Sequence, residues 1–237
     1  MSPTASPSVV TRRRILGASL LGVGTVIAQR HAIAQTAPPK PQNQVTPERA
    51  LELLKAGNKR YSEGITKRHD FSSERSALAS GQNPFAAILS CSDSRVAPEY
   101  AFDSARGDLF VVRVAGNYLS EDGLASLEYA VSSLGTPLIL VLGHDACGAV
   151  SASIKSITTD EILPGHLPTV VEALRPAVEE ARRTQDVLAN ATKANIRLTA
   201  QKLSRSSEII ADQLESGRLA IRGGIYRLGT GQVEIFG

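Results

Sequence analysis

The chain has 237 residues, of which 42% are hydrophobic and 21% are charged, and its formal net charge is +3. This length is sufficient for one α/β domain with a substantial core, and the sequence contains no internal repeat or low-complexity domain. Residues 1–34 hold four arginines and no acidic residue, so the remainder has a formal charge of −1. That balance excludes the basic footprint of a nucleic-acid-binding protein.

The first 34 residues have the organisation of an export signal. Three arginines, residues 12–14, precede an apolar stretch over residues 15–28, and Ala32-Ile33-Ala34 offers a small-residue cleavage site. The order Thr-Arg-Arg-x-Ile-Leu resembles twin-arginine signals, which carry folded proteins across the bacterial inner membrane. We therefore expect a signal peptide over residues 1–34, the twin-arginine machinery as partner of the precursor, and a periplasmic or otherwise exported mature protein. An uncleaved anchor is the alternative, although the stretch is short for a spanning helix.

A proline-containing segment, residues 35–45, is expected to be an extended linker. The domain itself is then expected over residues 46–237. Thr46 is a good helix cap and Pro47 suits the first helical position, which predicts a helix that runs to about Tyr61.

After this helix the pattern alternates between apolar strands and helices. Strands are predicted at 85–90, 109–113 and 138–142, and helices at 122–134, after Cys147, twice between 167 and 203, and at 205–215. A last pair of strands, near 218–226 and 232–236, is joined by Gly229-Thr230-Gly231 and is expected to form a hairpin. This order predicts an α/β fold, with a mainly parallel central sheet flanked by helices and a C-terminal antiparallel strand pair.

Both cysteines follow predicted strands directly. Cys91-Ser92-Asp93-Ser94-Arg95 comes after the strand at 85–90, and Gly143-His144-Asp145-Ala146-Cys147-Gly148 comes after the strand at 138–142. Sites of open α/β sheets form at this edge. Two thiolates and an imidazole are ligands of a catalytic zinc that keeps a fourth position open. A disulfide is the alternative in an exported protein, but the neighbouring aspartate, arginine and histidine favour the metal.

These segments resemble those of the β-class carbonic anhydrases, and the resemblance extends from about Thr46 to Phe236. It implies a zinc enzyme that interconverts carbon dioxide and bicarbonate with release of a proton. The matching pieces are Cys91 to Val96, Val112 to Asn117, Glu128 to Val131, Gly143 to Gly148, Gly224 to Tyr226 and Gly231 to Val233.

The resemblance implies that Cys91, His144 and Cys147 are the ligands of one zinc ion per chain. Two thiolates cancel the charge of the metal, whereas three histidines leave it at +2. The metal should therefore acidify its water less than a three-histidine site does, and we expect activity that grows toward alkaline pH.

Asp93 and Arg95 resemble the catalytic dyad of the family, in which the carboxylate accepts a hydrogen bond from the water on the metal. Arginine can hold a carboxylate through two parallel hydrogen bonds, which lysine cannot do. If this pairing breaks, Asp93 could become a fourth zinc ligand and close the site.

The same resemblance implies an apolar pocket, since carbon dioxide carries no charge. Val96, Phe110 and Tyr129 are expected as its walls, Gln82 as a hydrogen-bonding partner of substrate or product, and Gly148 as a backbone N–H donor to a substrate oxygen. For Phe110 and Tyr129 a plain role in the core is the alternative.

Members of this family complete the catalytic cleft across a dimer interface, so we expect a homodimer or a dimer of dimers. Two other functions remain open. One is a hydrolase of carbon disulfide or carbonyl sulfide on the same scaffold. The other is a non-catalytic zinc-binding or redox protein of the cell envelope, which would not need Asp93 and Arg95.

Overall fold

The computed structural model describes residues 45–67, 70, 72 and 74–237. The chain divides into two units, Met1–Gln35 and Thr36–Gly237, and the elements described belong to the second. The expected signal peptide and nearly all of the expected linker therefore lie outside the described residues. None of the helices in the described part combines the length and the apolar character that crossing a membrane requires.

The centre of the fold is a five-stranded sheet. Its strands are β1 (Ala86–Ser90), β2 (Leu109–Arg113), β3 (Leu138–His144), β4 (Ala220–Tyr226) and β5 (Val233–Phe236). Their spatial order is β2-β1-β3-β4-β5, and every neighbouring pair is parallel except β4 and β5, which are antiparallel. Each residue of β1 and β3 is buried, as expected for parallel strands covered on both faces. The predicted fold class is confirmed.

Eight helices lie in the described part of the chain. They are α1 (Pro47–Ser62), α2 (Glu74–Leu78), α3 (Pro98–Ala101), α4 (Glu121–Ser132), α5 (Gly148–Thr159), α6 (Leu167–Ala181), α7 (Val187–Ser206) and α8 (Glu208–Glu215). At the start of α1, the Thr46 hydroxyl accepts a hydrogen bond from the Arg49 backbone N–H at 3.2 Å, which is the predicted cap. The short helices α2 and α3 are absent from the sequence prediction, because four or five residues are too few to show a helical period.

Alternate residues of the strands build two separate apolar clusters, because successive side chains of a strand point to opposite faces. Leu89 packs in a cluster with Leu127 of α4 and Ile196 of α7. Ile88, its neighbour, packs in a cluster with Leu54 of α1 and others. Helix α1 thus covers the sheet of its own chain.

The register of the sheet brings the two cysteine segments together. Ser90, the last residue of β1, lies opposite Leu142 of β3, and His144 at the end of β3 lies opposite Tyr226 of β4. The chain therefore leaves β1 and β3 at the same carboxyl edge, with Cys91 following one strand and Cys147 close behind the other.

Candidate metal centre

Cys91, His144 and Cys147 form one buried cluster at this edge, with exposed fractions of 4%, 0% and 1%. One possible ligand atom from each residue lies within 4.8 Å of the others, and the two sulfur atoms are 3.9 Å apart. Both thiols are free, so the structure does not show the alternative disulfide. Two sulfurs at 2.3 Å from a tetrahedral zinc would lie about 3.8 Å apart. The observed separation of the sulfurs therefore fits zinc.

The imidazole of His144 is oriented as a ligand would be. Its Nδ1 lies 2.8 Å from the carbonyl oxygen of Asp145, which can only accept a hydrogen bond, so Nδ1 carries the proton. The other nitrogen, Nε2, is buried and has no hydrogen-bond partner among the described residues. Metal-binding histidines commonly donate one N–H to a backbone carbonyl and offer the other nitrogen to the metal. The donor set as a whole fits a zinc ion.

The two thiols share their protons unequally. The hydrogen bond with Cys147 lowers the pKa of Cys91 to about 4 against the effect of burial, helped by the nearby imidazole of His144 and by a hydrogen bond from the Gly116 backbone. The same hydrogen bond, together with burial, raises the pKa of Cys147 above its ordinary value. One thiolate is therefore stabilised before any cation binds, and binding a cation would release the remaining proton.

Asp93 and Arg95 are paired as the sequence suggested. Arg95 Nε and Nη2 donate to the two carboxylate oxygens at 2.9 and 2.7 Å, and the Arg95 backbone N–H adds a third bond at 3.0 Å. These bonds hold the pKa of Asp93 well below its usual range. Asp93 Oδ2 lies 3.7 Å from His144 Nε2. An ionised carboxylate of fixed orientation therefore stands beside the cluster.

Arg113, at the end of β2, fixes the backbone of the Cys91 segment, a role that the sequence analysis missed. Its guanidinium donates to the carbonyl oxygens of Cys91 at 3.1 and 3.0 Å, of Asp93 at 2.7 Å and of Val96 at 2.7 Å. Arg113 pairs with Ser90 in the sheet. An arginine predicted at the end of the strand beside the first cysteine was the available signal.

The His144 segment is fixed mainly by the main chain of its neighbours. The Asp145 backbone N–H donates to the carbonyl of Tyr226 at 3.2 Å, and the Asp145 carboxylate accepts a bond from the Leu228 backbone N–H at 3.0 Å. Ala146, the next residue, has a positive φ of 49°. Cys147 then caps α5, where the backbone N–H groups of Ala149 and Val150 favour its thiolate.

The expected pocket residues lie at different depths. Val96 is buried, with 1% of its surface exposed, and Gln82 is exposed. Phe110 on β2 and Tyr129 on α4 form a tilted ring pair with centroids 6.3 Å apart, and 49% of the Tyr129 surface is exposed. Gly148 is exposed, and a Cβ added there would meet no atom within 4 Å. Their roles toward a substrate stay predictions.

Comparison with known proteins independently supports the family resemblance that the sequence motifs indicate. A family model described as carbonic anhydrase matches residues 86–233. Carbonic anhydrase 2 of Mycobacterium tuberculosis is 40% identical over 193 residues, which cover 80% of this chain and 92% of that protein. The solved β-carbonic anhydrase CcaA has a TM-score of 0.61 at 32% identity, and the match covers 79% of this chain and 95% of that one.

An oligomeric relative is also similar. One of two tetrameric β-carbonic anhydrases of the ascomycete Sordaria macrospora has a TM-score of 0.60 at 26% identity. The match covers 77% of this chain and 91% of the fungal chain.

Proposed function

The chain belongs to the β-class carbonic anhydrase family, and from this premise we propose that it interconverts carbon dioxide and bicarbonate at a zinc ion held by Cys91, His144 and Cys147. The observation that carries the proposal is the buried group of two thiols and one imidazole next to an ionised Asp93. When bound, zinc supplies a Lewis acid that makes a water molecule nucleophilic near neutral pH.

Asp93 has the position and the charge to orient this water. Arg95 occupies both lone pairs of Oδ1, through its Nε and its backbone N–H, and one lone pair of Oδ2, which leaves the second lone pair of Oδ2 to accept a hydrogen bond from the attacking molecule. Because Arg95 lowers the pKa of Asp93, the carboxylate remains an acceptor throughout the working range of pH. The dyad therefore selects one orientation of the nucleophile and keeps it from rotating.

Gly148 is suited to hold the oxygen of the substrate. It is the first residue of α5, so its backbone N–H is one of those that the helix leaves unpaired, and it lies at the positive end of the helix dipole. No neighbouring atom fills the space beside its Cα. A small uncharged molecule could approach this N–H without displacing a side chain.

The ligand set also determines the pH dependence of the proposed reaction. Two thiolates donate more charge to a divalent cation than three imidazoles do, so a more alkaline medium is needed to activate the water. We expect the hydration rate to rise toward alkaline pH.

The test is metal analysis of the purified protein combined with stopped-flow hydration of carbon dioxide, followed by a pH indicator. Zinc at about one per chain with hydration that rises above about pH 7 is the expected result. Asp93→Asn is the matched variant, which should keep zinc and lose most of the hydration. Zinc without hydration would favour a carbon disulfide or carbonyl sulfide hydrolase, or a non-catalytic zinc protein. A protein without zinc contradicts the proposal.

We further propose that residues 1–34 direct the folded precursor through the twin-arginine route to the periplasm, a proposal supported by the sequence alone. Replacing Arg12 and Arg13 together with lysine should stop export and leave the cytoplasmic precursor active. Unchanged delivery to the periplasm in this double variant would point to the general secretory route instead.

Assembly as a dimer or a dimer of dimers is supported by the exposed Tyr129 beside β2, the terminal strand of the sheet in the described part of the chain, and by the tetrameric fungal relative. An aromatic pair at a free sheet edge is a suitable surface for a second copy. Light scattering of the mature protein at micromolar concentration should give the mass of two or four chains. An active species with the mass of one chain would contradict the proposal.

A further inference from the structure

The Cys91 sulfur receives a hydrogen bond from a backbone group outside its own segment. The Gly116 N–H lies 3.3 Å from Cys91 Sγ, across 25 residues of sequence. Gly116 has a φ of +83°, and a Cβ added to it would come within 2.9 Å of the Leu174 side chain. Only glycine combines this backbone conformation with this close contact. The donor to the sulfur is therefore held in one place by the surrounding chain.

The opposite side of Gly116 is held by Asn195 of α7. The Asn195 side-chain Nδ2 donates to the Gly116 carbonyl oxygen at 2.7 Å, across 79 residues of sequence. Asn195 is 3% exposed, and a buried amide is costly unless it is hydrogen-bonded. The hydroxyl of Thr199, one turn further along α7, donates to Asn195 Oδ1 at 3.5 Å. This contact favours the amide orientation in which Nδ2 faces the Gly116 carbonyl.

A series of polar contacts thus leads from α7 to a metal ligand: Thr199 to Asn195, Asn195 to Gly116, and Gly116 to Cys91. We propose that Asn195 is a positioning residue for Cys91, acting through Gly116 to aim a backbone N–H at the sulfur. This inference rests on the proposed zinc site and deepens it. A hydrogen bond to a ligating sulfur withdraws electron density from it, and groups that orient ligands tune the affinity of a site for its metal.

Two variants separate this role from simple packing. Asn195→Leu removes the donor at similar volume, and Asn195→Asp keeps the shape but presents oxygen to the Gly116 carbonyl. The control is Thr192→Val on the same helix. The Thr192 hydroxyl is equally buried, but it donates at 2.8 Å to Leu188 of its own helix.

The measurements are the dissociation constant of zinc, by competition with a chromophoric chelator, and the sulfur-to-metal charge-transfer band of the cobalt-substituted protein. Both Asn195 variants should bind zinc about 10-fold more weakly. Their charge-transfer band should move to lower energy, because a sulfur without its N–H donor gives up charge more readily. Thr192→Val should match the wild-type protein in both measurements.

Wild-type affinity and an unmoved band in the Asn195 variants would overturn the inference, even if their melting temperature falls, since they would show a structural role alone. If neither Asn195 variant folds, Thr199→Val serves in their place, with smaller shifts in the same directions expected. An unmoved band in that variant would then count against the inference. A wild-type protein that binds neither zinc nor cobalt would refute the proposed function itself. Failure of the inference about Asn195 is different, because it appears only when the variants are compared with a wild-type protein that binds metal.

Discussion

The two segments that carry the metal-ligand group are built differently. The first loop, residues 91–96, takes its shape from charged side chains, since Arg113 binds three of its carbonyl oxygens and Arg95 binds Asp93. The second loop, residues 145–148, takes its shape largely from backbone neighbours in β4 and α5. Arg95 is 53% exposed in its side chain, whereas His144 and Cys147, on either side of Asp145 and Ala146, are almost fully buried.

This difference indicates that the two loops have different roles. Backbone hydrogen bonds leave little freedom, so the second loop offers fixed anchors for two of the three ligands. Side-chain pairs at the surface contribute little to stability, usually less than about 1 kcal/mol, so the Asp93–Arg95 pair is better explained by the orientation that it imposes. Loss of a ligand in the second loop should therefore remove the metal, and loss of the Asp93–Arg95 pair in the first should reduce turnover of a protein that still holds it.

The largest effect is expected from Cys147→Ser in the second loop. The serine hydroxyl stays protonated near neutral pH and is a poor ligand for zinc compared with a thiolate. Zinc affinity should fall by more than about 100-fold, the upper range for loss of a group that only supports a ligand. Ser153→Ala is a suitable control, since Ser153 is buried in α5 and its hydroxyl binds the Ala149 carbonyl. Retention of zinc by Cys147→Ser would contradict the ligand assignment.

A smaller effect is expected from Arg113→Lys. Arg113 lies on β2, outside the first loop, and the substitution weakens its hydrogen bonds to the carbonyl oxygens of that loop. A lysine loses the Nε bond to the Cys91 carbonyl and the planar guanidinium that holds Nη2 among the three carbonyl oxygens, so the Cys91 backbone is held less firmly. Zinc affinity should fall about 10-fold and the hydration rate by a similar factor. Arg222→Lys provides the control, because Arg222 lies on β4, away from both loops, and donates to the neighbouring carbonyl of Ile221. Equal results for the two variants would argue against the role of Arg113.

Arg95→Lys should separate turnover from metal binding. The variant keeps the positive charge and loses the two-pronged grip, so zinc content should stay unchanged while kcat/KM falls about 10-fold. In the wild-type protein the hydrogen bonds from Arg95 lower the pKa of Asp93. Their loss lets this pKa rise toward its ordinary value of about 3.9, which is still below the pH range of the expected hydration, so the carboxylate stays ionised and the fall in kcat/KM reports the loss of its orientation.

The lowered pKa of Asp93 also determines how the stability of the fold changes with pH. A carboxyl group with a lowered pKa stabilises the fold above about pH 4 and loses this contribution as the pH falls toward the lowered value. Arg95→Lys should therefore raise the midpoint of acid unfolding slightly. An unchanged kcat/KM together with an unchanged acid midpoint would show that the pair has no effect on Asp93.

The sequence was sufficient to predict the metal-binding residues of the site, but not the residues that hold them in place. The strands before Cys91 and His144 are short apolar runs, and parallel strands bring the loops after them to one edge, so the convergence of the ligands could be predicted. The contact of Asn195 with Gly116 could not be predicted. It joins residues 79 positions apart in the sequence, and the helix packing that brings them together has no local sequence pattern. Gln82 and Tyr129 are exposed in the single chain, and their roles toward a substrate stay predictions.

The smallest effect is expected from Ala146→Gly, which tests whether the second loop is as rigid as its backbone contacts suggest. Ala146 has a φ of 49°, a conformation that costs a residue with a Cβ about 1 kcal/mol and glycine almost nothing. The gain is partly offset because glycine is more flexible in the unfolded chain. If the neighbours of the loop dictate its conformation, the variant should keep zinc affinity and activity within about two-fold and melt at the same or a slightly higher temperature. A marked loss of zinc would instead show that Ala146 itself restrains the loop, and that the second loop is no more fixed than the first.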